Sequence, residues 1–326
     1  MHQTMSSSPT ISLPMDLRQV AVDRYGSREE LVQRGIWRGE LYRCSDACEG
    51  RGWLWKVLVM EEDSEFKGEP YKQPQTLLRR LTPPALPPAA SPPEKAVIEL
   101  DLRRLNEDEL LVPDVQKVLL DLMCVVLNKH HWSYKQGYHE LLATAWLQLR
   151  EPHSAMCIFE RLMEKLVPIF YDETRLAQWE QHIFSPLLKV CSPGLHAQLY
   201  REGSHTNLLW LLRWTRVLFL RELPQDYVLV LWDHILTDTY PIETLVAGIV
   251  VVLLLNVHRE LLQPEHDHDD VVEILLNYKE AASSLLDSAE LCRMASRLVE
   301  LWFLQDVDSL RMICSTFLKI RFNVNE

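Results

Sequence analysis

From Pro113 to the C-terminus the apolar residues of this chain recur at offsets of three, four and seven, and little except proline interrupts them. Val115, Val118, Leu119, Leu122, Val125 and Val126 form one stripe, which turns a single helix face toward a core. Pro113 suits the first helical position, where its missing N–H removes no hydrogen bond. The same reading predicts helices at about 138–150, 153–168, 174–190, 206–221, 225–238, 241–262, 268–284, 287–303 and 305–320. Pro152, Pro193, Pro224, Pro241 and Pro264 separate several of them. No segment alternates with a period of two, and no repeat recurs at a fixed spacing. Glycine, which sheets need at turns and bulges, supplies only 10 of 326 residues. The expected fold class is all-α.

Composition narrows the partners. With 34 Lys+Arg against 46 Asp+Glu, the formal charge is −12, which argues against DNA, RNA or an anionic membrane as the main partner. The longest apolar run, Leu245 to Leu255, is about half of a bilayer span and reads as a buried core helix. No basic start followed by an apolar stretch marks a signal peptide in MHQTMSSSPT. The seven cysteines are too scattered for a disulfide scaffold. Cys44 and Cys48 are the closest pair, and the chain is expected to be cytoplasmic with reduced thiols.

Residues 1–15 are polar and aperiodic, and are expected to be disordered. Residues 16–262 form the main body, with interruptions at Gly35, Gly39, Gly50 and Gly52. Within it, the acidic EEDSEFKGEP and the proline-rich PPALPPAASPP make 61–94 an exposed insertion. Residues 263–326 read as C-terminal helices continuing the domain.

Several chemistries are missing. There is no G-x-S-x-G elbow and neither G-x-x-x-x-G-K-[ST] nor G-x-G-x-x-G, so the chain is not expected to bind a nucleotide itself by either loop. HDHDD, from His266 to Asp270, reads as acidic capping at a helix start, and His130-His131 as polar punctuation at a helix end. No metal site is expected.

Two segments place polar residues where the helical pattern breaks. In IELDLRR, an offset of three sets Asp101 beside Arg104, so the carboxylate can orient the guanidinium. In SYKQGYHEL, Tyr134, Gln136 and Gly137 precede an apolar helix, and Gly137 allows a tight entry that leaves Gln136 free to project. An Asp–Arg pair alone is most often a surface ion pair, and a lone Gln-Gly is usually a turn.

Together, I-x-x-D-x-x-R and Y-x-Q-G resemble the paired signature of the TBC domain of Rab GTPase-activating proteins. Two further matches lie in order: Arg51-x-x-x-Trp55 near the start, and the aromatic segment from Arg213 to Leu236 that carries Trp232-Asp233. The resemblance implies a multi-helix, two-subdomain array that accelerates GTP hydrolysis by a Rab-family GTPase. It implies that Arg104 is an arginine finger, Gln136 a glutamine finger, Asp101 the holder of Arg104 and Tyr134 the support of the glutamine loop. GTP and Mg²⁺ would come with the Rab partner, and the protein would need no cofactor of its own. Arg213, Arg216, Trp232 and Asp233 either contact the GTPase or serve the fold.

The sequence departs from the family pattern at Leu105, where a small hydroxyl residue is common, and in the acidic stretch Asn106–Glu109. Both favour the alternative of a catalytically silent scaffold that binds Rabs or trafficking proteins. His139-Glu140-Leu141 is similar to the branch that includes retromer-associated members acting on late-endosomal Rabs, which implies recruitment to endomembranes.

Overall fold

The computed structural model describes residues 15–42, 48–60, 92–202, 207–282 and 285–322. The regular structure of the described part is helical, apart from a two-residue parallel pairing of Met15–Asp16 with Cys48–Glu49. The all-α expectation is met. The expectations for residues 1–15 and 61–94 fall largely outside the described residues. Where 92–94 are described they already belong to a helix, Pro92–Leu102, because proline in a first turn forfeits no intrahelical bond.

The apolar run is the centre of the molecule. Every residue of the helix Ile242–Asn256 except Glu243 is buried. It packs on Ser288–Phe303 so closely that a Cβ on Gly248 would lie 2.9 Å from Val299 Cγ2 and 3.1 Å from the Ala295 carbonyl. No helix among the described residues is long and apolar enough to cross a membrane.

Helix ends differ from the sequence reading at instructive places. The helix expected to reach 221 stops at Arg216, and Leu218 and Phe219 follow with φ of 47° and 68°. There the Trp232 indole N–H donates to the Leu218 carbonyl at 3.3 Å, and the Tyr171 hydroxyl donates to the Arg216 carbonyl at 2.7 Å. Tertiary donors thus hold carbonyls that a helix end leaves open. Gly35 and Gly52, expected as interruptions, sit inside helical segments. Gly52 is there for close approach, since a Cβ would come 2.4 Å from the Gln148 carbonyl of the crossing helix Tyr138–Leu149. HDHDD does start a helix: Asp267 and Asp270 form a reciprocal capping box.

The motif pair near the two ends of the body closes into one buried cluster. The Asp233 carboxylate, with no exposed surface, accepts from Arg51 Nε at 3.1–3.2 Å, from the Tyr42 hydroxyl at 2.9 Å and from Trp55 Nε1 at 2.6 Å. Trp232 stacks on Trp55 at 5.8 Å between ring centroids. Buried charge is tolerable because it is paired and its lone pairs are occupied. Asp233→Ala would remove the carboxylate that accepts from the buried Arg51, Tyr42 and Trp55 at once, so we expect a loss of about 3–5 kcal/mol in denaturant-unfolding stability. A change below about 1 kcal/mol would mean the cluster carries little of the fold.

Candidate functional site

The helix Pro92–Leu102 carries the first candidate residue and ends two residues before the second. Asp101 lies in its last turn and is buried, while Arg104 lies in the turn beyond, where its N–H donates to the Asp101 carbonyl at 3.1 Å. The side chains meet as expected from their spacing: Arg104 Nη1 lies 3.2 Å from Asp101 Oδ1. The guanidinium-bearing chain is 63% exposed while the carboxylate is 8% exposed. An anchored base and an open head result.

Tyr134 joins this turn to the second segment. Its hydroxyl donates to the other Asp101 oxygen at 3.0 Å, and its backbone N–H donates to the Glu94 carboxylate on the same helix. Gln136 is exposed, two residues on, and therefore within roughly 7 Å of Tyr134 along the backbone. The structure thus brings Asp101, Arg104, Tyr134 and the Gln136 loop to one place.

Gly137 makes the loop possible. It caps the helix Tyr138–Leu149 at φ 108° and ψ −27°, and a Cβ there would sit 2.8 Å from Val217 Cγ1. Any other residue would meet both backbone strain and a wall. Behind it, Tyr138 packs edge-on against Tyr134 at 5.8 Å and against Tyr171 at 4.7 Å between centroids.

Burial raises the Tyr134 hydroxyl well above its ordinary pKa, with the hydrogen bond to Asp101 and its charge adding to the effect, so the phenol stays protonated. His139 is also buried, and its Nδ1 lies 2.8 Å from the Tyr134 oxygen. Burial pushes its pKa below the usual value. Glu140 and Asp101 oppose that shift, while Arg221 and Arg104 reinforce it.

The remaining candidates divide. Trp232 and Asp233 are wholly inside, as described above, and serve the fold. Arg213 pairs with the buried Glu222 at 2.9 Å. Arg216 donates to the Phe170 carbonyl at 3.3 Å and lies 5.4 Å over the Tyr171 ring, which places it behind the glutamine loop. Leu105 is packed against the core, and in the acidic stretch Glu109 is held by Arg150 at 2.9 Å. Leu105 thus serves the packing, whereas Asn106, Glu107 and Asp108 are exposed. His130, Glu160 and Glu164 come together, yet the Lys129 ammonium already sits 2.6 Å from Glu160. That pairing is polar punctuation with a partner.

Sequence reasoning missed Glu94, the role of His139, and the Arg221–Glu140 ion pair that ties the 217–223 turn to the first turn of Tyr138–Leu149. Only a polar residue at an otherwise apolar helix position signalled His139; the others pair across 40 and 81 positions.

The comparisons with known proteins agree on one family. The family described as Rab-GTPase-TBC domain matches residues 49–263. Among curated proteins, the chain is 26% identical over 180 residues to "GTPase-activating protein GYP7" of Yarrowia lipolytica, covering 55% of this chain and 24% of that protein. It is 26% identical over 244 residues to human "TBC1 domain family member 5", covering 56% and 30%. The chain thus spans less than a third of these relatives' length. The Ypt/Rab-GAP domain of Gyp1p superposes with a TM-score of 0.56 at 16% identity, covering 88% of this chain and 92% of that one. A Chlamydomonas flagellar RabGAP TBC domain also gives 0.56 at 16% identity, covering 86% and 89%. At that identity the likeness is one of fold.

Two consequences can be measured. Gly137→Ala should cost about 1–3 kcal/mol through strain at its positive φ, read as a lowered Tm; an unchanged Tm would show that the loop relaxes freely. His139 and the fully buried His234 both have depressed pKa values, so the unfolded chain takes up their protons first. Stability is then fully present above about pH 6.5 and is lost as pH falls below it. Denaturant unfolding at pH 7.5 and 5.5 should show that fall, and His139→Asn should reduce it.

Proposed function

Because the chain belongs to the Rab-GTPase-TBC domain family, we propose that it is a GTPase-activating protein for a Rab-family GTPase, acting through Arg104 and Gln136 in trans. The single observation that carries this reading is the shared Asp101 carboxylate. One oxygen holds the guanidinium of Arg104 and the other holds Tyr134, two residues before the exposed Gln136, which supports the two acting at one site.

The chemistry follows from what a GTPase lacks. Charge developing on the transferred phosphoryl needs a cation, and a delocalised guanidinium reaching in supplies one. The attacking water needs an acceptor and donor at fixed distance, and a carboxamide offers both. A finger arginine can contribute about 10³–10⁵ in rate, or roughly 4–7 kcal/mol of barrier. The Rab brings GTP and Mg²⁺; this chain brings the two side chains and the surface that seats them. Leu105 packs against the core and Glu109 pairs with Arg150 while Arg104 pairs with Asp101, which favours catalysis over the silent-scaffold alternative at these two positions. The likeness of His139-Glu140-Leu141 to the retromer-associated branch makes late-endosomal Rabs the first candidates and retromer-type proteins the first partners to try.

GTP hydrolysis measured across a Rab panel tests the proposal. At least one Rab should be accelerated, Arg104→Ala should lose about 10³-fold or more, and Gln136→Ala about 10²-fold. GTP-state binding without faster hydrolysis would favour the scaffold. No acceleration of any Rab by the wild type would overturn the catalytic reading.

A further inference from the structure

The buried network behind the fingers contains one group with no role so far. His139 sits in the first turn of Tyr138–Leu149, almost wholly buried, with its Nδ1 aimed at the Tyr134 oxygen and its Nε2 3.9 Å from Glu140 Oε1. A phenol has one hydrogen to give. That hydrogen goes to Asp101 Oδ2, a carboxylate and the stronger acceptor, so the His139 nitrogen facing the tyrosine must itself carry a hydrogen and donate it. The order of donation is then fixed: His139 to Tyr134, Tyr134 to Asp101, and Asp101 receiving Arg104 on its other oxygen.

The direction matters. Were the imidazole protonated only at Nε2, Nδ1 would be an acceptor competing with Asp101 for the phenolic hydrogen. Tyr134 could then turn toward the histidine, and the link between the arginine-bearing turn and the glutamine-bearing loop would be cut. Glu140, held by Arg221, stands beside Nε2 at a distance beyond a direct hydrogen bond. The Tyr134 oxygen is the nearer partner, and it favours a hydrogen on Nδ1.

We propose that His139 is a positioning residue for the Arg104–Gln136 pair, donating from Nδ1 to Tyr134 so that the phenolic hydrogen is committed to Asp101. This rests on the GTPase-activating reading for its kinetic consequence, though not for its tautomer. His139 touches neither finger; it acts through Tyr134, and its effect should appear in turnover before affinity, because the binding surface stays in place.

Two measurements on the full chain test it. The first needs no GTPase: NMR of protein with ¹⁵N-labelled histidine should show His139 at neutral pH with hydrogen on Nδ1 and none on Nε2. In Tyr134→Phe that tautomer preference should be lost. Hydrogen on Nε2 alone in the wild type overturns the proposal, whatever the activity assays give. The second compares near-isosteric variants on the Rab that responds best. The amide nitrogen of Asn occupies the position of Nδ1, whereas Leu fills the same space without a donor. His139→Asn should stay within about threefold of wild type, while His139→Leu should lose about tenfold or more in kcat with KM for the GTP-bound Rab within about twofold. His139→Gln, whose amide reaches toward the Nε2 position, should fall with the Leu variant and guards against a Leu variant that does not fold. A purely structural histidine would make Asn and Leu fall together, or would raise KM and lower Tm without a kcat change. Either result overturns the proposal. If the wild type accelerates no Rab, the functional reading fails while the tautomer measurement still decides the arrangement.

Discussion

A single buried carboxylate ties the two ends of the motif set together. Asp233 has no exposure, and its partners Tyr42, Arg51 and Trp55 come from a segment some 180 residues earlier. An ionised group so placed is stable only if all its partners are present at once. The helix Arg51–Met60 is therefore fixed against Gln225–Leu236, and its other face, through Gly52, against Tyr138–Leu149. From Asp233 the constraint runs on: neighbouring Trp232 holds the Leu218 carbonyl, and the turn containing Leu218 presents Val217 to Gly137. The loop that carries Gln136 is thus shaped by a polar cluster far from it in sequence.

Asp101 does different work with the same chemical group. Asp233 spends every lone pair inside the molecule, whereas Asp101 sits at the rim and divides its oxygens between a buried phenol and a mostly exposed guanidinium. Burial of Tyr134 keeps the phenol a donor at any working pH, so the inner half of the arrangement does not change with conditions. The outer half, Arg104 beyond its first contact, stays free to meet an anion. Rigid behind and open in front would suit the proposed action in trans, because order imposed before docking lowers the entropic cost of reaching a reactive geometry.

How much of this was legible follows from which signals are local. Prolines at helix starts and the uncharged run Leu245–Leu255 are local, and they gave the helical class and the core helix directly. The Asp101–Arg104 contact lies within one turn and was readable from spacing. Arg51, Trp55 and Trp232-Asp233 were visible as separate motifs, but their union in one cluster was not, since no periodicity links positions so far apart. Gly35 and Gly52 looked like breaks because glycine is a poor helix former; their use, making room for the Tyr25 ring and for the Gln148 carbonyl of a crossing helix, depends on tertiary neighbours that periodicity does not reveal. The early stop at Arg216 has the same origin, set by donors from Tyr171 and Trp232. Glu94 and His139 were illegible for a further reason: an acidic residue in a first turn and a histidine in an apolar helix both have ordinary explanations until the tyrosine between them is placed.

The net charge of −12 raises the question of how, on the proposed function, an exposed arginine of an acidic protein would meet the phosphates of a nucleotide. At physiological ionic strength, exposed charges farther apart than about 8 Å are largely screened, so the total matters less than the nearest groups. Of the acids nearest Arg104 in sequence, Asp101 is shared with Tyr134 and Glu109 is held by Arg150, while Glu107 and Asp108 are exposed. Three other arginines have internal partners, Arg213 in Glu222, Arg221 in Glu140, and Arg216 in the Phe170 carbonyl and the Tyr171 ring, while Arg103 is exposed beside Arg104. Arg104 keeps more of its side chain in solvent than Arg213 or Arg221, at 63% against 39% and 37%. A guanidinium has five N–H donors, and Asp101 accepts from one nitrogen. The donors left over sit on a mostly exposed side chain above a fixed base, so on the proposed function the attraction for a phosphoryl group would depend on the nearest charges, the exposed Glu107 and Asp108 included, more than on the total.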